Sequence, residues 1–338
     1  MQRAWYFFLR IYVRLGLRFY FRKIILNGQE NIPKGPVIFA ANHQNAFMDA
    51  LLIVCFNSHI THFLTRADIF KKPLTRWLIS TLNMIPIYRI RDGWKSLSEN
   101  EKTFDACYDL FLKNEAVVIF PEGNHGDKRR LRPLTKGFAR IAFESWQKNS
   151  ELDISIVPVG LNYSNHQGFR ESVSVFFGKP ISAKNYFKDS TDINGLRDEL
   201  SSQLKRLISH IENENQYDSI MSQLKNLNPD FLDPEKTNQQ ISRIENGEVI
   251  HTKQNGSSPI NFLWYASVIN FIPLFIWHRI RKGIKDPVFI TSLKFGVGIF
   301  LFPAFYLLVG TILFSFFGIW IAILWLAISI PSMLLYKK

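Results

Sequence analysis

Val37-Ile38-Phe39-Ala40-Ala41-Asn42-His43-Gln44-Asn45-Ala46-Phe47-Met48-Asp49 is the stretch whose reading decides the fold. Behind the turn signal Gly35-Pro36, the apolar run 37–41 has the length of a buried strand. Beyond it Ala46, Phe47, Ala50, Leu51, Leu52 and Val54 recur at helical spacing, with Asn42 or Asn45 as N-cap. His43 then stands at the strand's exit and Asp49 in the first turns of the following helix. Further apolar runs at 60–64, 84–88, 117–120, 154–161 and 174–177 alternate with helical patterns at 96–113 and 137–148. That alternation predicts an α/β sheet covered by helices.

A His facing a carboxylate suits chemistry on a hydroxyl group. A neutral imidazole takes a proton from an alcohol while the carboxylate fixes its tautomer and stabilises the imidazolium, with no serine or cysteine nucleophile required. A helix-capping Asp beside a hydrogen-bonded surface His is the plainer reading of the same two residues. Two other segments bear polar side chains at strand ends. Arg89 follows the run Met84-Ile85-Pro86-Ile87, where its planar fork of donors suits a phosphate, although spacing alone favours a solvated surface arginine. The run Ala116–Phe120 ends in Pro121-Glu122-Gly123-Asn124, a turn that exposes backbone N–H groups and, at Gly123, permits close approach of an anion.

These blocks come in a familiar order. Asn42-His43 with Asp49, Pro86-Ile87-Tyr88-Arg89, Phe120-Pro121-Glu122-Gly123 and Ile156-Val157-Pro158-Val159 together resemble the glycerolipid acyltransferases, over roughly residues 25–210. The resemblance implies a mixed α/β sheet covered by helices, His43 as general base and Asp49 as its orienter. It also implies an acceptor site in which Arg89 binds phosphate and Glu122 holds a glycerol hydroxyl or anchors Arg89; the plainer reading of Glu122 is a buried ion pair that only shapes the loop. Five residues rather than the usual four separate His43 from Asp49, a spacing shared with a branch similar to fungal glycerol-3-phosphate/dihydroxyacetone-phosphate acyltransferases. Unless the loop before the helix absorbs the extra residue, Asp49 is turned by about 100° around the helix axis and the pair is broken. Backbone N–H groups near that helix start are expected to meet the oxyanion of the attacked thioester.

The segment 127–140 carries Asp127 and the basic residues Lys128, Arg129, Arg130, Arg132, Lys136 and Arg140. Such a run is either a solvated face or a patch that attracts phosphorylated acceptors or lipid head groups. Lys136, opening the helix that follows, is placed nearest the phosphate turn. His125, two residues after Gly123, reads either as a structural loop residue or as a second acid/base. The proline of Val157-Pro158-Val159 is expected at a strand edge or bulge.

A formal net charge of +13 over 338 residues points to an anionic partner, and without a recognisable nucleic-acid module the membrane surface fits best. Residues 295–335 contain no charged side chain, about twice the length of one helical span, and predict a transmembrane hairpin turning near 315–318. Basic residues at 279, 281, 282, 285 and 294 before it and at 337 and 338 after it put both ends, and the catalytic domain, on the cytoplasmic side. The apolar stretch 260–277, interrupted by Asn261, Asn270 and Pro273, reads as an interfacial or re-entrant helix, with a third span as the alternative.

At the other end, residues 1–25 predict an amphipathic membrane helix. Arg10, Arg14, Arg18 and Arg22 form its basic stripe, and aromatic residues cover much of the remainder; an amphipathic helix packed on its own domain is the plainer alternative. Residues 26–211 are the expected acyltransferase domain, 212–258 a polar tether or loose helices, and 259–338 the membrane region. Cys55 and Cys107 imply neither disulfide nor zinc cluster.

The expected activity is therefore membrane-bound transfer of a fatty acyl group from acyl-CoA or acyl carrier protein as co-substrate to a phosphorylated glycerol acceptor. The deprotonated hydroxyl attacks the thioester directly, and neither metal nor cofactor is required. Two other classes fit parts of the same sequence. One is a metal-dependent phosphoester hydrolase with His43, Asp49, Glu122, His125 and Asp127 as nominal ligands. The other is a non-catalytic lipid-binding protein.

Overall fold

The computed structural model describes residues 2–68, 82–88, 99–188, 191–248 and 268–335. Its centre is an eight-stranded sheet of β1 (Lys23–Asn27), β2 (Val37–Ala41), β3 (Thr61–Arg66), β4 (Met84–Ile87), β5 (Ala116–Ile119), β6 (Ser155–Tyr163), β7 (Ser172–Phe177) and β8 (Ile181–Ser182). The order is β1-β7-β6-β2-β5-β3-β4, with β8 also paired to β6. Neighbours run parallel except β6 with β7 and with β8, so the sheet is mixed.

The central strands are buried on both faces, as expected where helices cover a parallel sheet. Val37, Phe39 and Ala41 of β2 point into one apolar cluster, which includes Val118, Val157 and Val159 from the neighbouring strands. Ile38 and Ala40 point into the other, with Val117, Ile119 and Ile156. Helices α1 (Gln2–Tyr20) and α2 (Phe47–Cys55) cover the first face. Helices α3 (Glu99–Phe111), α4 (Gly137–Lys148) and α5 (Ile193–Leu207) cover the second. On α4 the buried residues Phe138, Ile141, Ala142 and Ser145 recur three or four apart, and burying each large apolar side chain stabilises the layer by about 1.5–3 kcal/mol.

Pro158 departs from expectation, since it lies inside β6 and not at an edge or bulge. It pairs with Ala40 of β2 on one side. On the other it falls between the stretch paired to β8, residues 155–156, and the stretch paired to β7, residues 159–163. A proline is tolerated where the ladder changes partner, because no bond to its missing N–H is interrupted there.

The N-terminal helix stops at Tyr20, and the β-branched and apolar residues of Lys23–Asn27 join the sheet beside β7. Tyr6, Leu17 and Tyr20 of α1 are buried against the domain, whereas Trp5, Phe8, Ile11 and Leu15 are exposed. The arginine stripe is divided. Arg10 donates to the carbonyl oxygens of Asn57 and His59, and the Arg14 guanidinium lies 5.1 Å from the centre of the Phe56 ring.

Within 212–258, where a tether or loose helices are expected, α6 (Tyr217–Asn226) and α7 (Pro234–Glu245) bury Ile220, Leu224, Ile241 and Ile244 in a cluster of their own. Asp233 caps α7 by accepting from Lys236 N at 3.1 Å, with Pro234 in its first turn.

The apolar C-terminal segment forms α8 (Phe271–Lys282), α9 (Phe289–Phe317) and α10 (Ile319–Leu335). The stretch 260–277 is described only from 268 onward, with α8 beginning after Asn270. Helices α9 and α10 make a hairpin at Gly318, whose φ of 82° favours glycine. Among the described residues, α9 is the helix long and apolar enough to cross a membrane, about 43 Å end to end. Two full spans are expected from the sequence; α10 is a shorter apolar helix of 17 residues.

Candidate active site

The site lies at the carboxyl ends of β2 and β5. These strands are parallel neighbours, with Val37 to Ala40 opposite Ala116 to Ile119, so the loops that leave them emerge side by side. The crevice at strand carboxyl ends is where open α/β sheets bind ligands. His43 is two residues past β2 and Glu122 three past β5.

His43 Nδ1 and Asp49 Oδ2 are 2.9 Å apart. The extra residue between them is absorbed before the helix, where Ala46 adopts φ 44° and ψ −127° and α2 starts at Phe47. A non-glycine residue in that region carries backbone strain, which local partners must hold in place. They are present, because Asp49 Oδ2 also accepts from Gln44 N at 2.8 Å and Asn45 N at 2.7 Å. The carboxylate thus folds the loop as well as facing the imidazole.

Asp49 is fully buried, as are most side chains of α2, and a buried carboxylate must be satisfied on both oxygens. Its Oδ1 accepts from the Tyr163 hydroxyl at 2.5 Å. Burial, then the charge of Asp49, holds the Tyr163 phenol far above its ordinary range, so it stays protonated and donates. The His43 ring lies flat on Phe120, with centres 3.9 Å apart and planes within 14°. With Nδ1 donating to Asp49, Nε2 is the ring nitrogen left to accept a proton.

Glu122 closes the other side. Its Oε1 accepts from His43 N at 2.7 Å, and its Oε2 from Arg132 Nε at 2.7 Å and Arg132 N at 3.2 Å. The Arg132 guanidinium also donates to the carbonyl oxygens of His125 and Asn124. The Glu122-Gly123 turn is therefore braced from within, with Gly123 at φ 69°. His125 lies against His43, ring centres 5.8 Å apart, and burial followed by the nearby His43 pushes its pKa below the ordinary value.

Of the expected site residues, the fold thus brings together His43, Asp49, Glu122 and Gly123. Lys136 sits at the N-cap of α4 with its side chain exposed. Arg89 lies outside the described residues, two positions beyond the end of β4. Glu122, expected to serve the acceptor or Arg89, takes Arg132 as its partner.

The basic run is largely paired internally. Arg129 is buried under Phe231, 3.5 Å from the ring centre, and donates to Tyr163 O at 2.7 Å. Arg130 pairs with Glu214 at 2.5 Å. Four backbone N–H groups ahead of and at the helix start are committed too: His43 N to Glu122, Gln44 N and Asn45 N to Asp49, and Met48 N to Ser292 Oγ at 3.1 Å. Nor do His43, Asp49, Glu122, His125 and Asp127 converge as a ligand set, because among the described residues no group of three or more such side chains is placed to hold a metal ion.

Tyr163, Arg132 and Ser292 escaped the sequence reading. Arg132 stood within the basic run without a distinguishing mark. Tyr163 and Ser292 are linked to the loop only through the tertiary fold.

Residues 23–162 match the model of the Acyltransferase family. Glycerol-3-phosphate O-acyltransferase 2 of Saccharomyces cerevisiae is 30% identical over 131 residues, 36% of this chain and 17% of that protein. The chloroplastic 1-acyl-sn-glycerol-3-phosphate acyltransferase BAT2 of Brassica napus is 27% identical over 143 residues, 42% of this chain and 38% of that protein. A probable 1-acyl-sn-glycerol-3-phosphate acyltransferase of Mycoplasma pneumoniae is 22% identical over 202 residues, 53% of this chain and 70% of that protein. The crystal structure of the 1-acyl-sn-glycerophosphate acyltransferase PlsC from Thermotoga maritima superposes with a TM-score of 0.44 at 23% identity, covering 60% of this chain and 79% of that one. The matched part of the chain spans 17% of the length of the yeast protein and 38% of that of the plant protein. Residues 23–162, which carry β1 to β6 almost entire together with His43, Asp49 and Glu122, are thus the part of the chain that matches the Acyltransferase family.

Proposed function

We propose that this chain moves a fatty acyl group from the thioester of acyl-CoA or acyl carrier protein to a hydroxyl of a glycerol-phosphate acceptor. The acceptor is glycerol-3-phosphate or lysophosphatidate, the two classes named in its relatives. The observation that carries this reading is the His43–Asp49 pair, locked at 2.9 Å with Asp49 held on its other oxygen by Tyr163.

His43 Nε2 accepts the acceptor's hydroxyl proton as the oxygen attacks the thioester carbon. The new C–O bond forms, the C–S bond breaks, and the imidazolium returns its proton to the departing sulfur. Asp49 stabilises the imidazolium, and the Phe120 ring fixes the plane of the imidazole. Arg89, Glu122 with Gly123, and Lys136 are assigned to the acceptor, Arg89 and Lys136 as phosphate partners and the Glu122-Gly123 turn as the wall that positions the glycerol.

The reaction takes place at a membrane, with α9 spanning and the exposed apolar face of α1 lying in the interface. Basic residues at 279, 281, 282 and 285 before α9 and at 337 and 338 after α10 favour the cytoplasmic side for both ends and for the catalytic domain.

The test is acyl transfer by the detergent-solubilised protein from acyl-CoA and acyl carrier protein to glycerol-3-phosphate and to lysophosphatidate, with His43→Ala in parallel. Transfer to one acceptor, abolished by the substitution, is expected. Transfer that survives His43→Ala would remove His43 from the chemistry.

A further inference from the structure

Away from His43, a cavity of about 840 Å³ lies between α1, α8, α9 and α10, with the loop 165–169 as its remaining wall. Its body is apolar, walled by residues such as Phe19, Leu274, Phe295, Phe302 and Met333. One set of lining residues is cationic or basic, namely His278, Arg281 and Lys294, and among the described residues no acidic side chain lines it. Arg281 and His278 are exposed, while Lys294 donates to Gln167 O at 3.1 Å. The volume is within the range of roughly 300–1,000 Å³ that holds small organic ligands.

Two further observations define the occupant. Tyr20 lines the cavity with a buried hydroxyl that lacks a well-formed hydrogen bond. The Thr291 hydroxyl beside it is committed as a donor to His166 O at 2.6 Å. The outer surface of α9, which carries exposed Phe300 and Leu307, is the surface a bilayer would contact. An apolar body with basic groups, set among helices of this kind, is complementary to an amphiphile with an apolar tail and an anionic head.

We propose that this cavity binds a membrane lipid, its acyl chain between α1 and α9 and its phosphate on Arg281 and Lys294. The site lies mainly outside the Acyltransferase-family residues and rests on α9 lying in a bilayer, not on the acyl-transfer reading. Two sources share this chemistry, a single-chain lysophosphatidate and a two-chain anionic phospholipid of the surrounding membrane.

Gly298 supplies a selective block. A Cβ added there meets nothing nearer than the Phe302 ring at 4.0 Å, so Gly298→Phe fills cavity space without forcing the backbone. The full-length protein in nanodiscs is photolabelled with phosphatidate carrying a diazirine in its acyl tail, and the labelled peptides are identified by mass spectrometry. Label is expected on 295–306 facing the cavity, reduced roughly tenfold or more by Gly298→Phe and by the double substitution Arg281→Glu, Lys294→Glu. Because the charge reversals sit at exposed and partly exposed positions, they keep the test decisive if Gly298→Phe unfolds.

Protection by lysophosphatidate alone would identify a single-chain lipid, and protection by phosphatidylglycerol a bulk anionic lipid. Either outcome supports the site. Equal protection by phosphatidylcholine, or label confined to the outer face around 307–316 and insensitive to the substitutions, would overturn it.

Discussion

Tyr163 Oη and Asp49 Oδ1, separated by 114 residues in sequence, are joined by a 2.5 Å hydrogen bond at the heart of the site. The other oxygen of the same carboxylate faces His43 and two backbone N–H groups, so Asp49 is fully satisfied while fully buried. Tyr163→Phe removes one donor and leaves Oδ1 buried without it, a loss of about 1–3 kcal/mol. The expected result is a fall in kcat of roughly 5- to 150-fold, with the acceptor KM little changed, because the hydroxyl touches Asp49, the proposed orienter of His43. An unchanged kcat would show that Asp49 does not depend on Tyr163.

Arg132 is an internal brace on Glu122. The Glu122 side chain is 3% exposed and that of Arg132 30%, so truncating the arginine strands a buried carboxylate beside His43. Arg132→Ala is expected to lower Tm and kcat together, with an acceptor KM that moves much less. A selective rise in KM for the phosphorylated acceptor, with kcat and Tm intact, would instead make Arg132 a phosphate ligand.

The strand 37–41 and the helix carrying Asp49 were legible because their patterns are local, an unbroken apolar run followed by helical recurrence. The survival of the long spacing was not, since it depends on Ala46 at φ 44°, a conformation stabilised by Asp49's bonds to the loop. The basic run at 127–132 gave no sign of its use, because Phe231 over Arg129 and Glu214 beside Arg130 lie in 212–248, which a weakly periodic sequence disguised as a tether. The arginines of α1 suggested one basic stripe turned toward a membrane surface, whereas Arg10 reaches carbonyl groups nearly fifty positions away. In each case local periodicity is readable, and pairing across the fold is not.

The first turn of α9 is tied to the loop 43–49. Ser292 Oγ accepts from Met48 N and donates to Asn45 O, both at 3.1 Å, on either side of Ala46. Phe289 packs edge-on against His125, ring centres 5.0 Å apart. Ser292→Ala removes both bonds from a buried position and is expected to cost about 1–3 kcal/mol and to relax the Ala46 turn. Reduced kcat together with faster proteolysis or hydrogen exchange across 43–49 would register that relaxation. Unaltered exchange over this segment would show that the loop holds its shape without α9.

His166 links the same loop to pH. Its Nε2 donates to Gln44 Oε1 at 3.1 Å, and burial, then the charge of Arg129, pushes its pKa down to about 4 from an ordinary value near 6.5. Between those values the unfolded chain binds a proton that the folded chain refuses, so stability falls as pH drops through this window and levels off below about 4. The contribution is at most about 3 kcal/mol, because His166 keeps partial contact with solvent. Other histidines with lowered values, His62, His125 and His210, add to the same slope. His166→Gln, which cannot take up a proton there, should therefore flatten the dependence of Tm on pH between about 6.5 and 4 without abolishing it. A slope identical to that of the unsubstituted protein would mean that His166 is already open to solvent, and that the Gln44 contact does not restrain the catalytic loop in solution.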